Sequence, residues 1–239
     1  MTNNQLGAQL ILLAAGASSR MLIAGKVLPK GLLSYNGKAL IIHQIENFLS
    51  CGGAGVVVVL GAGSNSHCQE YLQILRPFNE DSRVTCLLNE KTELGQFFSL
   101  QIALRDLVIS KDSGKKSWEK VFIQPVDVLL PGRDVFDQLL VAQARATASV
   151  AVVIPTYQQK GGHPLLINSS NFIRELLAVV GPARLDMQIK RWEKQEGPGS
   201  VLRVAVDDPR VVSNVNTPDE WSRWCGLVPS DKCICYPLQ

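Results

Sequence analysis

Short runs of aliphatic and β-branched residues alternate along this chain with stretches whose apolar positions recur every three or four residues. Runs of the first kind occupy residues 10–14, 55–60, 84–88, 120–124, 149–154, 165–167 and 201–206. Several are continuously apolar rather than alternating, as expected of strands covered on both faces. The second kind predicts helices over 39–49, 97–108, 135–144 and 172–180, with Ile42, Ile45 and Leu49 sharing a face of the first. Strands alternating with helices specify an α/β fold with a mostly parallel central sheet. The polar stretch 112–117 reads as a surface loop inserted between a helix and a strand. Thr217-Pro218-Asp219-Glu220 reads as a helix start, with Thr217 as N-cap, Pro218 in the first turn and Glu220 closing a capping box.

Composition removes several classes of function. At 239 residues, 46% apolar and 19% charged, the chain suits one large domain able to bury about 70% of its unfolded surface. Disorder, coiled coil and collagen are disfavoured. Lys and Arg exceed Asp and Glu by only three, 24 against 21, and they are scattered. The densest basic cluster, 111–120, also holds Asp112 and Glu119, so no extended face for nucleic acid is expected. With no run of 18 apolar residues, no membrane-spanning helix is expected.

The apolar stretch 9–17 has no preceding positive charge and reads as a buried first strand, not a secretion signal. The six cysteines (51, 68, 86, 225, 233 and 235) lack framework spacing, so reduced thiols in the cytoplasm are expected. The C-x7-C-x-C spacing at the end is not a usual zinc pattern.

Ligands of open α/β sheets bind beyond the carboxyl ends of the strands, so the loop after the first strand bears on function first. It reads Leu13-Ala14-Ala15-Gly16-Ala17-Ser18-Ser19-Arg20-Met21. Small residues let backbone N–H groups approach a phosphate, the serines add hydroxyls, and Arg20 adds a forked cation. The same small residues also suit a tight strand-to-helix turn. Farther on, Lys30 in Leu28-Pro29-Lys30-Gly31-Leu32-Leu33 precedes apolar residues, as though its stem were anchored near the core. Asp127 follows the apolar run 121–123, where a carboxylate serves either as a hard metal ligand or as a turn or cap residue.

In this order, the loop 13–21, Pro29-Lys30-Gly31-Leu32-Leu33 and Asn36-Gly37-Lys38 resemble the signature of nucleotidyltransferases that move a nucleoside monophosphate onto a phosphorylated acceptor. Among these the chain is most similar to MobA-like NTP transferases, which include the molybdenum-cofactor cytidylyl- and guanylyltransferases. Sugar-1-phosphate nucleotidyltransferases share the same opening. The resemblance continues through Glu93-Leu94-Gly95-Gln96 with Ser99, Pro125-Val126-Asp127, Gly161-Gly162-His163-Pro164, and Asp208-Pro209 through Asn214-Val215-Asn216-Thr217-Pro218-Asp219-Glu220. It departs from the family pattern in a longer 20–30 segment, in Leu129 where a Pro usually follows the Asp, and in Asn216 where the cytidylyl branch has Asp.

The resemblance implies a three-layer, Rossmann-like nucleotide-diphospho-sugar transferase fold of the GT-A-like kind. A single domain over 1–226 would be followed by a tail, 227–239. It implies that Arg20, Lys30 and Asp127 are catalytic, Arg20 on the β- and γ-phosphates and Lys30 beside the α-phosphate. Leu13, Ala14, Ala15, Gly16, Ala17, Ser18, Ser19, Gly95 and Ser99 would surround the nucleotide. His163 would lie near the acceptor, while Asp127 and Asn216 would hold Mg²⁺. The expected partners are a nucleoside triphosphate, with CTP favoured by Ala14-Ala15-Gly16, and a phosphorylated small molecule, with no nucleic acid and no membrane. Two rival readings are weaker. A dinucleotide-binding oxidoreductase would need a third glycine where Ser66 stands after Gly61-Ala62-Gly63. A non-catalytic nucleotide-binding regulator would not require Arg20, Lys30 and Asp127 together.

Overall fold

The first apolar run forms β1 (Ala8–Ala14), buried at every position. This computed structural model describes residues 5–23, 26–63, 67–114 and 119–225. The further strands of the main sheet are β2 (Gly55–Gly61), β3 (Val84–Asn89), β4 (Lys120–Pro125), β5 (Val152–Tyr157), β6 (Lys160–Gly161), β7 (Leu165–Ile167) and β8 (Val201–Ala205). Their order is β6-β5-β7-β4-β1-β2-β3, with β8 pairing β5. β1 is parallel to β2 and β4, β2 to β3, and β8 to β5. β7 runs antiparallel to β4 and β5, and β6 antiparallel to β5.

Successive side chains of a strand point to opposite faces, which explains the continuous apolar runs. Leu10, Leu12 and Ala14 enter one core with Val56, Val58 and Leu60, while Ile11, Leu13, Val57 and Val59 enter another. Each core is roofed by helices. On the first face lie α1 (Leu40–Ser50), α2 (Cys68–Leu75) and α4 (Arg133–Arg145), contributing Ile45, Phe48, Tyr71 and Phe136. On the second lie α3 (Gln96–Asp112), α5 (Ser170–Ala178) and α6 (Leu185–Glu196), contributing Phe97, Leu104, Phe172 and Ile189. The result is the expected three-layer architecture. Phe48, Phe122 and Phe136 pack edge to face, with centroids 5.0 to 6.1 Å apart, the favoured arrangement of aromatic quadrupoles.

A third apolar cluster joins loops rather than layers. Met21, Leu33, Leu40, Leu129, Val215 and Trp221 are buried together. They tie the segments after β1 and β4 to the start of α7 (Pro218–Cys225). α7 opens with the expected capping box: Thr217 Oγ1 accepts from Glu220 N at 3.3 Å, and Glu220 accepts from Thr217 N at 3.0 Å.

Several expectations change. α3 continues to Asp112, one turn past its expected end at 108, so the polar loop begins at Ser113, and residues 115–117 lie outside the described residues. α2 and α6 were not among the expected helices; in α6 Leu185, Ile189 and Trp192 form a narrow apolar face against the second core within an otherwise polar stretch. Cys51, Cys68 and Cys86 are free thiols, but Cys225 is disulfide-bonded, which corrects the expectation that every cysteine is reduced. The 227–239 tail lies outside the described residues. Among the described residues no helix is long and apolar enough to cross a membrane.

Candidate active site

The carboxyl ends of β1 and β4 lie side by side, because Leu13 pairs with Pro125. The chain leaving β4 stays bound to β1, Val126 N donating to Leu13 O at 3.0 Å. Asp127 therefore emerges beside the 15–20 loop.

Its turn is held from several sides. Gln44 Nε2 on α1 donates to Val126 O at 2.9 Å and Val128 O at 3.2 Å, bracketing Asp127. Gln124 Nε2 donates to Val128 O at 2.6 Å. Val215 N donates to Asp127 O at 2.7 Å, and Val128 forms an antiparallel bridge with Asn214. That bridge brings Asn216 to the same spot although it is 89 residues farther along the chain. Glu220, while closing its capping box, also accepts from Asn216 N at 2.7 Å.

Lys30 arrives by a different route. Its backbone N–H donates to Ser18 Oγ at 3.1 Å, so Ser18, held at a positive φ of 52°, links the first loop to the Lys30–Leu32 turn. The next amide, Gly31 N, donates to Tyr71 Oη at 3.1 Å. A side chain at Gly31 would put a Cβ 2.7 Å from the Tyr71 ring, so only glycine permits that approach. Burial holds the Tyr71 phenol well above its ordinary pKa, leaving it a neutral acceptor for that amide.

These routes converge on one centre. Lys30 Nζ donates to Asp127 Oδ2 at 2.7 Å and to Asn216 Oδ1 at 2.8 Å, and Arg20 Nη2 donates to the same Asn216 oxygen at 2.9 Å. The Lys30 and Asp127 side chains are 13% and 24% exposed, so the pair is only partly screened by water. Two cations against one carboxylate leave local positive charge, suited to an anionic ligand. Asp127 and Asn216 offer two hard oxygen donors that already share one ammonium. That donor set fits Mg²⁺, which takes one or two protein carboxylates and completes its shell with phosphate oxygens and water. Among the described residues there is no group of three or more His, Cys, Asp or Glu able to cage a metal unaided.

The other expected residues surround this centre unevenly. Gly16, Ala17, Ser19 and Arg20 are exposed on the loop, with Ala15 half-buried. A crevice of about 40 Å³ lies among Ala14, Ala15, Gly16, Ala17, Gly61 and Thr92. Ala14 is only 3% exposed and packs into the core. Leu13, Gly95 and His163 border a separate cavity of about 510 Å³. Ser99 is not at the surface: it is 1% exposed, and its hydroxyl accepts from Asn89 Nδ2 at 2.9 Å.

His163 is fixed by its backbone, His163 N donating to Val211 O at 2.7 Å. Gly162 beside it could carry no side chain, since a Cβ there would run into Val211 O. Asp208 sets the position of Val211. It caps the Pro209–Val212 turn through Arg210 N at 2.9 Å and pairs with the Arg210 guanidinium at 2.7 Å. The Asp208 pKa is lowered: burial opposes ionisation, and the Arg210 contacts outweigh it.

Gln44 and Gln124 escape a reading from sequence. Both are fully buried, and the only signal would have been a polar residue on the apolar face of α1 and another inside an apolar strand. Leu129, which replaces the usual Pro, is explained by packing: it is 2% exposed within the cluster beneath the site.

Comparison with known proteins bears on the fold and the family. The Rv0371c protein of Mycobacterium tuberculosis, crystallised as a complex with manganese, superposes with a TM-score of 0.64 at 18% identity, covering 92% of this chain and 99% of that one. A nucleotidyl transferase from Methanothermobacter gives 0.68 at 18% identity, covering 91% and 95%. The inositol-1-phosphate CTP transferase of T. maritima gives 0.62 at 13%, covering 89% and 90%. No curated protein matches the chain significantly. The fold is thus the nucleotide-diphospho-sugar transferase fold. More narrowly, the sequence profile of the MobA-like NTP transferase domain matches residues 10–206, and the chain belongs to that family.

Proposed function

We propose that the protein transfers a nucleoside monophosphate from a nucleoside triphosphate to a phosphorylated small molecule, using Mg²⁺ and preferring CTP. The observation that supports this most is the meeting of Arg20, Lys30, Asp127 and Asn216 within hydrogen-bond distance. An anionic oxygen of the acceptor attacks the α-phosphorus. The new P–O bond forms as the bond to the bridging oxygen of the β-phosphate breaks, and pyrophosphate carries off the electron pair. The acceptor is already anionic, so no protein nucleophile is needed.

The protein's work is positioning and neutralising charge. Arg20 grips the β- and γ-phosphates. Lys30 turns its ammonium from Asp127 and Asn216 toward the α-phosphate, leaving those two oxygens free to hold the metal. A bound Mg²⁺ supplies Lewis-acid polarisation of the phosphate oxygens. Backbone amides of Gly16, Ala17, Ser18 and Ser19 cradle the triphosphate. Ala15 narrows the crevice facing Gly61 and Thr92, which favours the smaller pyrimidine. A molybdopterin-type acceptor follows from the resemblance to the cytidylyl branch and is compatible with a cavity of about 510 Å³ beside His163. A cytoplasmic setting, where nucleoside triphosphates are plentiful, fits this reading.

Pyrophosphate release is the test, with each triphosphate offered alongside a panel of phosphorylated acceptors. CTP with Mg²⁺ is expected to support release, and Asp127→Asn to lower turnover by at least about a hundredfold. Near-normal Mg²⁺-dependent release by that variant would remove Asp127 from the centre.

A further inference from the structure

The short turn that carries Lys30 has little of its own to hold it still. It is a single 3₁₀ turn, Lys30–Leu32, and Pro29 before it has no side-chain acceptor to cap it. The leading N–H groups of any helical turn lack partners within the turn. Here the first two find theirs on other elements. Lys30 N donates to Ser18 Oγ on the first loop, and Gly31 N donates to Tyr71 Oη on α2.

The two contacts differ in how easily water replaces them. The Ser18 bond is only partly buried, so a water molecule can stand in for the hydroxyl. The Tyr71 bond is buried, as is Gly31 itself, so without the phenol that amide loses its partner and gains none. Tyr71 is also firmly seated. It is 4% exposed, packs in the first core with Leu32 and Leu75, and is one of only two residues, with Leu75, that α2 buries. Its ring reaches the turn because Gly31 has no side chain: a Cβ there would lie 2.7 Å from Tyr71 Cε1 and 2.8 Å from Oη. The consequence falls on Lys30, whose Nζ must leave Asp127 Oδ2 and Asn216 Oδ1 for the α-phosphate. With both amides pinned, the ammonium travels by rotation about side-chain bonds from a backbone already in place. Such preorganisation is what positions a charge for a transition state.

We propose that Tyr71 is a positioning residue: through Gly31 N, its hydroxyl sets the backbone from which Lys30 reaches Asp127 and the α-phosphate. This proposal rests on the nucleotidyltransferase reading and adds to it a residue of α2, an element outside every motif of the family resemblance. Tyr71 touches neither the triphosphate nor the metal oxygens; it acts through Lys30 alone.

The test is Tyr71→Phe in the full chain, which keeps the ring and its packing and removes only the oxygen. The first readout needs no nucleotide: acetylation of Lys30 by acetic anhydride, followed by peptide mass spectrometry, with the exposed Lys91 and Lys160 as internal references. Lys30 should acetylate about fivefold faster in the variant, and the references at unchanged rates. The second readout is pyrophosphate release. Tyr71→Phe should lower kcat about tenfold with the triphosphate KM held within about twofold. In a Lys30→Ala background it should cost less than about twofold, because the group it positions is gone, whereas in an Arg20→Ala background the full loss should persist. Leu75→Val, on the same helix and in the same core, loosens packing without touching Gly31 N, and should change neither readout. An unchanged acetylation rate at Lys30, equal kcat losses with and without Lys30, or the same effects from Leu75→Val would overturn the proposal. If no triphosphate supports release while Lys30 acetylates faster in Tyr71→Phe alone, the nucleotidyltransferase reading falls and the Tyr71 assignment stands.

Discussion

Replacing Gln44 by Met keeps the length and approximate volume of a fully buried side chain but removes its two donors. Val128 O keeps a partner, because Gln124 Nε2 lies 2.6 Å away, so the substitution orphans Val126 O alone. An unsatisfied buried carbonyl costs about 1–3 kcal/mol. Against this, Gln44 Oε1 is itself buried without a partner, and Met relieves a penalty of the same size, about 1–3 kcal/mol. The two nearly cancel, so global stability should move by no more than about 1 kcal/mol. Catalysis has no such compensation. The turn that carries Asp127 loses its tether to α1, and a displacement of about 1 Å in a reacting constellation costs up to about a hundredfold in rate. Gln44→Met is therefore expected to lower kcat by about 10- to 100-fold while its melting temperature stays near that of the unmutated protein. Pyrophosphate release at saturating substrates, with a thermal melt on the same preparation, measures both. A clear loss of melting temperature with an unchanged kcat would make Gln44 a core residue and refute its role in positioning Asp127.

Two further outcomes follow from the geometry of the centre. Arg20→Ala should raise the apparent KM for the triphosphate, because its phosphate contacts exist before reaction, whereas Lys30→Ala should mainly lower kcat, because its partner gains charge in the transition state; identical pure KM defects in steady-state kinetics would contradict these roles. Ala15→Gly should narrow the preference for CTP over GTP by removing the methyl that lines the crevice, and calorimetry showing an unchanged ratio would place base selection elsewhere.

The sequence carries the layered sheet plainly, because a strand buried on both faces has to be apolar at consecutive positions, as in β1 and β2. Helices with one broad apolar face were equally legible. α6 was less so, since its apolar face is only the narrow stripe Leu185, Ile189 and Trp192 among charged and polar residues. Arg20, Lys30, Asp127 and Asn216 were individually visible, but their proximity was not: the Arg20–Asn216 bond closes over 196 residues, and local patterning carries no record of such a contact. It was reached through resemblance to a family. Ser99 shows the limit of that route, because its buried bond to Asn89 depends on the packing of α3 against β3, which no motif encodes. The glutamines behind Asp127 were hidden for the opposite reason: a lone polar residue in an apolar pattern looks like noise until the carbonyls it reaches are known.

The most direct test of the central claim is the metal dependence of CTP binding, by calorimetry, in the unmutated protein and in Asp127→Asn. If Asp127 and Asn216 hold a divalent cation against the triphosphate, Mg²⁺ should tighten CTP binding to the unmutated protein by at least about tenfold. The same addition should leave Asp127→Asn nearly unaffected. CTP binding that is indifferent to Mg²⁺ in the unmutated protein, or equally enhanced by it in both, would contradict the account.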